Sequence, residues 1–140
     1  MSETAEKAKR ILLFAGAGTA GFGVDVLTVM VTHKRCGLIG AQMLGFLLAV
    51  TATWILNRRY AFAGRGSERR LGEWGRYVVA NGWGAVLNNG TYLLAIWLSP
   101  LLARYPEGAV ALGSLAGMGA NYLAAHRWVF AQGNPENLKK

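Results

Sequence analysis

The sequence predicts an all-α integral membrane protein with four transmembrane helices in two parallel helical-hairpin repeats and both termini cytoplasmic. Three observations predict it. Hydrophobic residues make up 53% of the 140 positions and charged residues 16%, too few charges for a soluble domain of this length. The apolar residues fall into four long runs separated by short polar stretches. A pattern of apolar helix, basic pair and aromatic tail occurs twice, first at Trp54, Asn57, Arg58, Arg59, Tyr60 and Phe62, then at Tyr122, His126, Arg127, Trp128 and Phe130. At one constant offset Trp54 falls on Tyr122, Arg58 on His126, Arg59 on Arg127, Tyr60 on Trp128 and Phe62 on Phe130. Such a pattern suits the exit from a bilayer, where arginines reach headgroups and amphipathic rings sit at the interface. Its recurrence divides a single membrane domain, residues 1–140, into repeat one at about 10–62 and repeat two at about 74–130.

The elements follow in chain order. Helix 1 is expected over about Ile11–Thr32, long enough at ~1.5 Å per residue to cross a ~30 Å hydrocarbon core. The basic residues before it lead into an apolar stretch with no small-residue cleavage site, which reads as a retained membrane helix and not a signal peptide. A turn over His33, Lys34, Arg35, Cys36 and Gly37 returns the chain. Helix 2, about Leu38–Leu56, ends in the first basic motif. The polar, glycine-rich stretch from Ala63 to Arg76 separates the repeats. Helix 3 is expected over about Tyr77–Leu98, stopped by Ser99 and Pro100, and helix 4 over about Gly108–Ala125, ending in the second motif.

Charge sets the orientation. With the N-terminus inside, the N-terminal tail, the middle loop and the C-terminal tail hold twelve of the 15 Lys and Arg residues. The positive-inside rule then places both termini in the cytoplasm and makes the duplication parallel, about an axis along the membrane normal. The net charge of +8 would suggest nucleic acid in a soluble protein. Here the charges lie between apolar segments, so anionic lipids are the expected partner and nucleic acid is not.

Small residues at spacing four mark packing faces: Gly113, Gly117 and Asn121 on helix 4, Gly45, Ala49 and Thr53 on helix 2, and Gly18, Gly21 and Asp25 near one face of helix 1. On helices 2 and 4 these faces serve equally as internal packing or as the contact of a homodimer. The run Gly16, Gly18, Gly21 matches a dinucleotide fingerprint in form, but it lies in an apolar span without a preceding strand and reads as helix packing.

Two groups of residues could carry function. Asp25, the acidic residue inside a span, is expensive there, by ~2.5 to 3.5 kcal/mol at a helix centre, and such residues are usually functional. Its position in helix 3 is taken by Asn89, with Asn88 beside it, so Asp25 is either a proton site or a brace bonded to Asn88 or Asn89. Arg58, Arg59, Arg127 and His126 form the second group, suited to a lipid phosphate because guanidinium presents a planar fork of donors; simple topology anchoring is the alternative. Asn57 and Asn121 point inward beside these cations. Trp83, deeper than the interfacial aromatics, is a candidate for stacking on a sugar. The sequence carries no paired carboxylates at catalytic spacing, no metal-ligand cluster and no nucleophile with its base, so neither an enzyme nor a metal or cofactor is expected.

An apolar helix ending in Asn57, Arg58, Arg59, Tyr60, Ala61 and Phe62, its echo near the C-terminus and four hydrophobic segments in about 140 residues resemble the GtrA-like family of small membrane proteins. The resemblance implies a role in cell-surface polysaccharide synthesis, translocating a polyprenyl-phosphate-linked sugar across the cytoplasmic, or inner, membrane as a multi-pass protein. On that reading the arginine group holds the lipid phosphate, while Asp25, Asn57, Asn88, Asn89, Asn121 and Trp83 line the sugar's path. Two other readings stand beside it. One is a membrane anchor that recruits a membrane glycosyltransferase through the basic segment Gly64 to Arg76; the other is a small proton-coupled exporter working through Asp25.

Overall fold

The structure, a computed structural model, describes residues 2–131; these are almost wholly helical, with no strand among them. The first helical segment covers Glu3–Leu56, but Gly37 within it, at φ 69 and ψ 171, is not helical and breaks the direction of the chain. This conformation is essentially confined to glycine. The run is therefore two helices, α1 over residues 3–36 and α2 over 38–56. The expected turn at His33–Gly37 is thus shortened to one residue, because His33, Lys34 and Arg35 extend α1. Cations are favourable in a last helical turn, and His33 Nδ1 lies 3.0 Å from the carbonyl oxygens of Val29 and Met30.

After a loop, α3 runs over Arg70–Leu98, beginning a full turn and more before the expected Tyr77. The short α4, Pro100–Arg104, falls where only a loop was expected. Pro100 fixes its first turn, and Ser99 Oγ caps it by accepting from the Leu102 amide at 3.3 Å. Helix α5 follows over Pro106–Ala124. The C-terminal tail, whose Lys139 and Lys140 enter the charge count, lies outside the described residues.

The small-residue faces are consumed inside each hairpin, except that Gly16 and Gly18, expected to pack, have nothing against them, and Gly18 lines the open space between the hairpins. In α1 and α2, Gly21 lies against Thr53 and Ala49, while Asp25 and Val29 lie against Gly45. In α3 and α5, a Cβ on Gly113 would stand 2.6 Å from the Asn88 carbonyl oxygen and one on Gly117 2.9 Å from that of Gly84. Both pairs run antiparallel, with backbones close enough that a methyl group would separate them. Of the two uses that the sequence left open for these faces, the fold takes internal packing.

The hairpins meet at one end. Asn57–Ala61 and Ala125–Val129, the two basic motifs, each form one π-helical turn. Each closes with an i+5 bond, from the Phe62 amide to the Asn57 carbonyl at 2.7 Å and from the Phe130 amide to the Ala125 carbonyl at 2.9 Å. The wider turn brings Phe62 and Phe130 face to face, with ring centroids 4.7 Å apart and planes inclined by 15°. Phe14, Val50, Tyr77, Ala80 and Val129 complete the buried core around this stack. Toward the other end Phe22, Val31, Ile39, Val86 and Trp97 are exposed. The run Glu3–Ala61 has a stretch of mean hydropathy 1.8 of which 22% is buried. A helix so apolar at the centre of a soluble protein would be mostly covered, and a surface of this kind belongs to a membrane protein.

Candidate functional site

Between the two hairpins lies a cleft of about 650 Å³. Its polar lining follows from helical phase: Tyr77, Asn81, Gly84 and Asn88 recur at steps of four, three and four on α3 and so share one face. Asn121 enters from α5, Asn57 from the first π turn, and Thr19 and Thr53 from the first hairpin. Asn57 donates through Nδ2 to Tyr77 Oη at 2.7 Å, and Asn81 donates to the Tyr77 carbonyl at 2.9 Å. The Oδ1 atoms of Asn57 and Asn121 are buried and, among the described residues, receive no hydrogen bond. A buried carbonyl without a donor costs about 1 to 3 kcal/mol, which favours a ligand rich in hydroxyl groups. Asn121 needs Gly84 opposite it, because a Cβ there would collide with its side-chain oxygen.

The cations at the foot of this cleft divide into two unlike sets. In the first, Arg58 turns inward. Its Nη1 donates to Glu73 Oε1 at 2.5 Å and its Nη2 to the Ser67 carbonyl at 3.0 Å, and the guanidinium carbon stands 5.9 Å from the centre of the Trp54 ring. Glu73 is fully buried and also accepts from Trp54 Nε1 at 2.9 Å and from the Ser67 amide. A carboxylate removed from water is tolerable only with such a complete set of donors. The result ties α2, the loop and α3 into one lock.

The second set surrounds His126. Its ring faces Tyr122 at 5.9 Å and Phe62 at 6.2 Å. Burial first, then the positive charges of Arg65, Arg10, Arg127 and Lys7, hold its pKa below the usual imidazole value. Arg65 is likewise pushed down, by burial and by Arg10, and its Nε has no acceptor among the described residues. The cations around His126 thus form a collar in which Lys7 pairs with Glu3 at 2.6 Å, while Arg10, Arg65 and Arg127 have no ion pair among the described residues. The collar and the cleft are joined by rings: Phe14 lines the cleft, lies 5.4 Å from Tyr122, and Tyr122 touches His126.

The structure brings Asn57, Asn88 and Asn121 together in the cleft and His126 together with Arg127 in the collar. It leaves five predicted residues apart, the first being Arg58, which was expected with His126 and Arg127 and is held instead by the buried Glu73. Asp25 lies on the α2 side of α1, accepting from Gln42 Nε2 at 3.3 and 3.4 Å, so the brace expected toward Asn88 or Asn89 goes to α2. Asn89 is exposed and bonds back to the Ala85 carbonyl at 2.9 Å. Trp83 is 66% exposed and points out of the bundle, because it stands one residue off the inward face. Arg59 is exposed, its guanidinium carbon 5.8 Å from the Tyr60 ring. Sequence reasoning missed Tyr77 and Asn81 in the cleft, Glu73 in the lock, and Arg10 and Arg65 in the collar. For the cleft residues the spacing to Asn88 was an available signal.

A larger cavity, about 850 Å³ at the far end between α3, α4 and α5, is lined by Leu93, Trp97, Pro106 and other largely apolar residues. It offers little with which to orient a polar ligand.

Over residues 13–136 the sequence matches a family model described as GtrA/DPMS, transmembrane domain. No curated protein and no solved structure matches the chain.

Proposed function

The chain belongs to the GtrA/DPMS transmembrane family, whose model covers most of its length, and from that premise we propose that it translocates a polyprenyl-phosphate-linked sugar across the cytoplasmic membrane. The family ties the chain to membrane work on lipid-linked sugars. The observation that carries the finer reading is the asparagine-lined cleft, with its two unpartnered carbonyl oxygens, opening one ring away from a collar of cations.

In this scheme α1, α2, α3 and α5 span the bilayer with the π turns at the cytoplasmic face, in keeping with the bias of Lys and Arg toward that end. Arg127, Arg10 and Arg65 hold the lipid phosphate beside His126, and Arg59 at the exposed rim adds charge. Arg58 acts at one remove, fixing the loop through Glu73. From Tyr77 to Asn88 the polar face rises ~16 Å along α3, about half of a hydrocarbon core. Sugar hydroxyls moving along it exchange water for amide partners over that distance, which lowers the cost of taking an unpaired hydroxyl into an apolar phase, about 1 to 3 kcal/mol each. The prenyl tail stays in lipid. Asp25 faces Gln42 and Gly45 and not this path, which weighs against a proton-coupled exporter.

Reconstitution tests the proposal. Purified protein in liposomes containing a labelled short-chain polyprenyl-phosphate sugar should speed its passage between leaflets well above protein-free liposomes. Well-folded protein that gives no acceleration sinks the proposal. Retention of a membrane glycosyltransferase by that same inactive protein, lost on altering residues 64–76, would establish the anchor instead.

A further inference from the structure

We propose that the loop between the hairpins carries an anion site of its own, formed by Arg69, Arg76 and the start of α3 and suited to a phosphate group. A cavity of about 640 Å³ lies there, lined by Gly66, Ser67, Glu68, Arg69, Gly72 and Arg76. The Arg76 side chain runs back along its helix, as helical side chains do, so that Nη1 would stand 3.8 Å from a Cβ on Gly72. Its Nε and Nη2 are buried and, among the described residues, have no hydrogen-bond acceptor. A guanidinium held at a cavity wall with two donors unsatisfied calls for an acceptor from outside.

The surroundings favour an anion. Arg69 is the N-cap residue of α3 and gives no side-chain bond to the first turn; the Arg70 amide is taken by the Glu68 carbonyl at 3.0 Å, which leaves the Leu71 and Gly72 amides to an external acceptor. Glu73, the acid of that turn, would ordinarily neutralise the region, but its oxygens are committed to Arg58, Trp54 and the Ser67 amide. Glu68 lines the cavity and, among the described residues, pairs with neither arginine. Gly66 closes the wall over the Arg58 guanidinium, where a Cβ would lie 2.5 Å from Cζ. Two forked donors and a helix start match the tetrahedral oxygens of phosphate. The site shares no residue with the His126 collar and stands whether or not the protein moves sugar.

Amide NMR of the full-length protein in micelles reads the site directly through Gly72 and Arg69. Inorganic phosphate, titrated against chloride at equal ionic strength, forms one arm; a short-chain phosphatidylglycerol doped into the micelles forms the other. A saturable shift of the Gly72 amide is expected in at least one arm. Saturation by lipid alone identifies a headgroup site, and saturation by inorganic phosphate a site for free phosphate. Arg76→Gln should weaken the response at least tenfold, whereas Arg127→Gln in the collar should leave it in place. If Arg76→Gln disturbs the whole spectrum, Gly72→Leu fills the cavity with the charges intact and should abolish the shift. No saturable shift in either arm, or one indifferent to Arg76→Gln and Gly72→Leu, overturns the proposal.

Discussion

The two basic motifs share a backbone, each a π turn closed by an i+5 bond, but their side chains do opposite work. In the first, Arg58 is drawn onto the buried Glu73 and joins the loop to α3. In the second the equivalent position is His126, set among rings and cations. One copy is closed by an internal anion; the other has no carboxylate bonded to its His126 or Arg127 among the described residues. A duplicated motif therefore need not supply two equal sites. The first copy holds the frame; in the proposed scheme the second is the one that binds.

The largest effect should come from opening the closed copy. Glu73→Ala strands the Arg58 guanidinium and removes the acceptor of the Trp54 indole and the Ser67 amide. Removing one partner of a buried pair costs about 3 to 5 kcal/mol, and the partial exposure of Arg58, 24% for its side chain, argues for the lower end. His126→Ala should cost less, about 1 kcal/mol, because the half-buried ring gives up its contacts with Tyr122 and Phe62 but strands no charge. Unfolding titrations in mixed micelles measure both, and equal losses would erase the distinction between the copies.

The cleft sharpens the same contrast. The equivalents of Thr53 and Asn57 in the second copy are Asn121 and Ala125, so the asparagine sits one turn earlier there. Asn57 is bonded to Tyr77, whereas the Asn121 carbonyl has no donor. Asn57→Ala should lower stability by about 1 kcal/mol or more and also slow transport. Asn121→Ala should leave stability near the original value while transport in liposomes falls about tenfold, the worth of ~1.4 kcal/mol in a barrier. A stable Asn121→Ala protein with full transport would remove the amide from the path.

Lysine replacements probe the cations at smaller scale. Arg127→Lys keeps the charge and loses the fork, and transport should drop severalfold at unchanged stability. Arg58→Lys should instead lower the melting temperature, since one ammonium cannot serve Glu73 and the Ser67 carbonyl in the same geometry. The opposite assignment of the two phenotypes would place the phosphate at the first copy.

How much of this was written in the sequence depends on the range of the interaction. The apolar runs and small-residue faces are local and periodic, and they located the helices and hairpin contacts. The π turns were hidden, because five residues with an i+5 bond carry no period of their own and the choice is made by the Phe62 and Phe130 stack. Glu73 falls within the polar stretch that separates the repeats, and nothing local marks it, because its partner Arg58 lies across that loop. Gln42 was passed over because Asp25 was matched by alignment to helix 3, while the hairpin sets it against its immediate neighbour α2. Trp83 and Asn89 illustrate phase: both are one residue away from the inward line through Gly84 and Asn88, and that displacement turns them out of the cleft.

The smallest effect separates the copies by titration. His126 has a folded pKa below its ordinary value, set by burial and then by Arg65, Arg10, Arg127 and Lys7. The folded chain therefore binds fewer protons at this site than the unfolded chain, and stability rises with pH through the window. The contribution is fully present above the unfolded value near 6.5 and is lost as pH falls from there through the lower folded value. A phosphate in the collar would offset part of the positive charge around the ring and raise the His126 pKa, so by linkage its binding should tighten as the pH drops over the same range. Melting curves from pH 8 to 5 should show a shallow decline that His126→Gln flattens, and added lipid phosphate should shrink the decline in the original protein. A decline that survives His126→Gln unchanged would assign the proton to another group and leave the open copy without its pH signature.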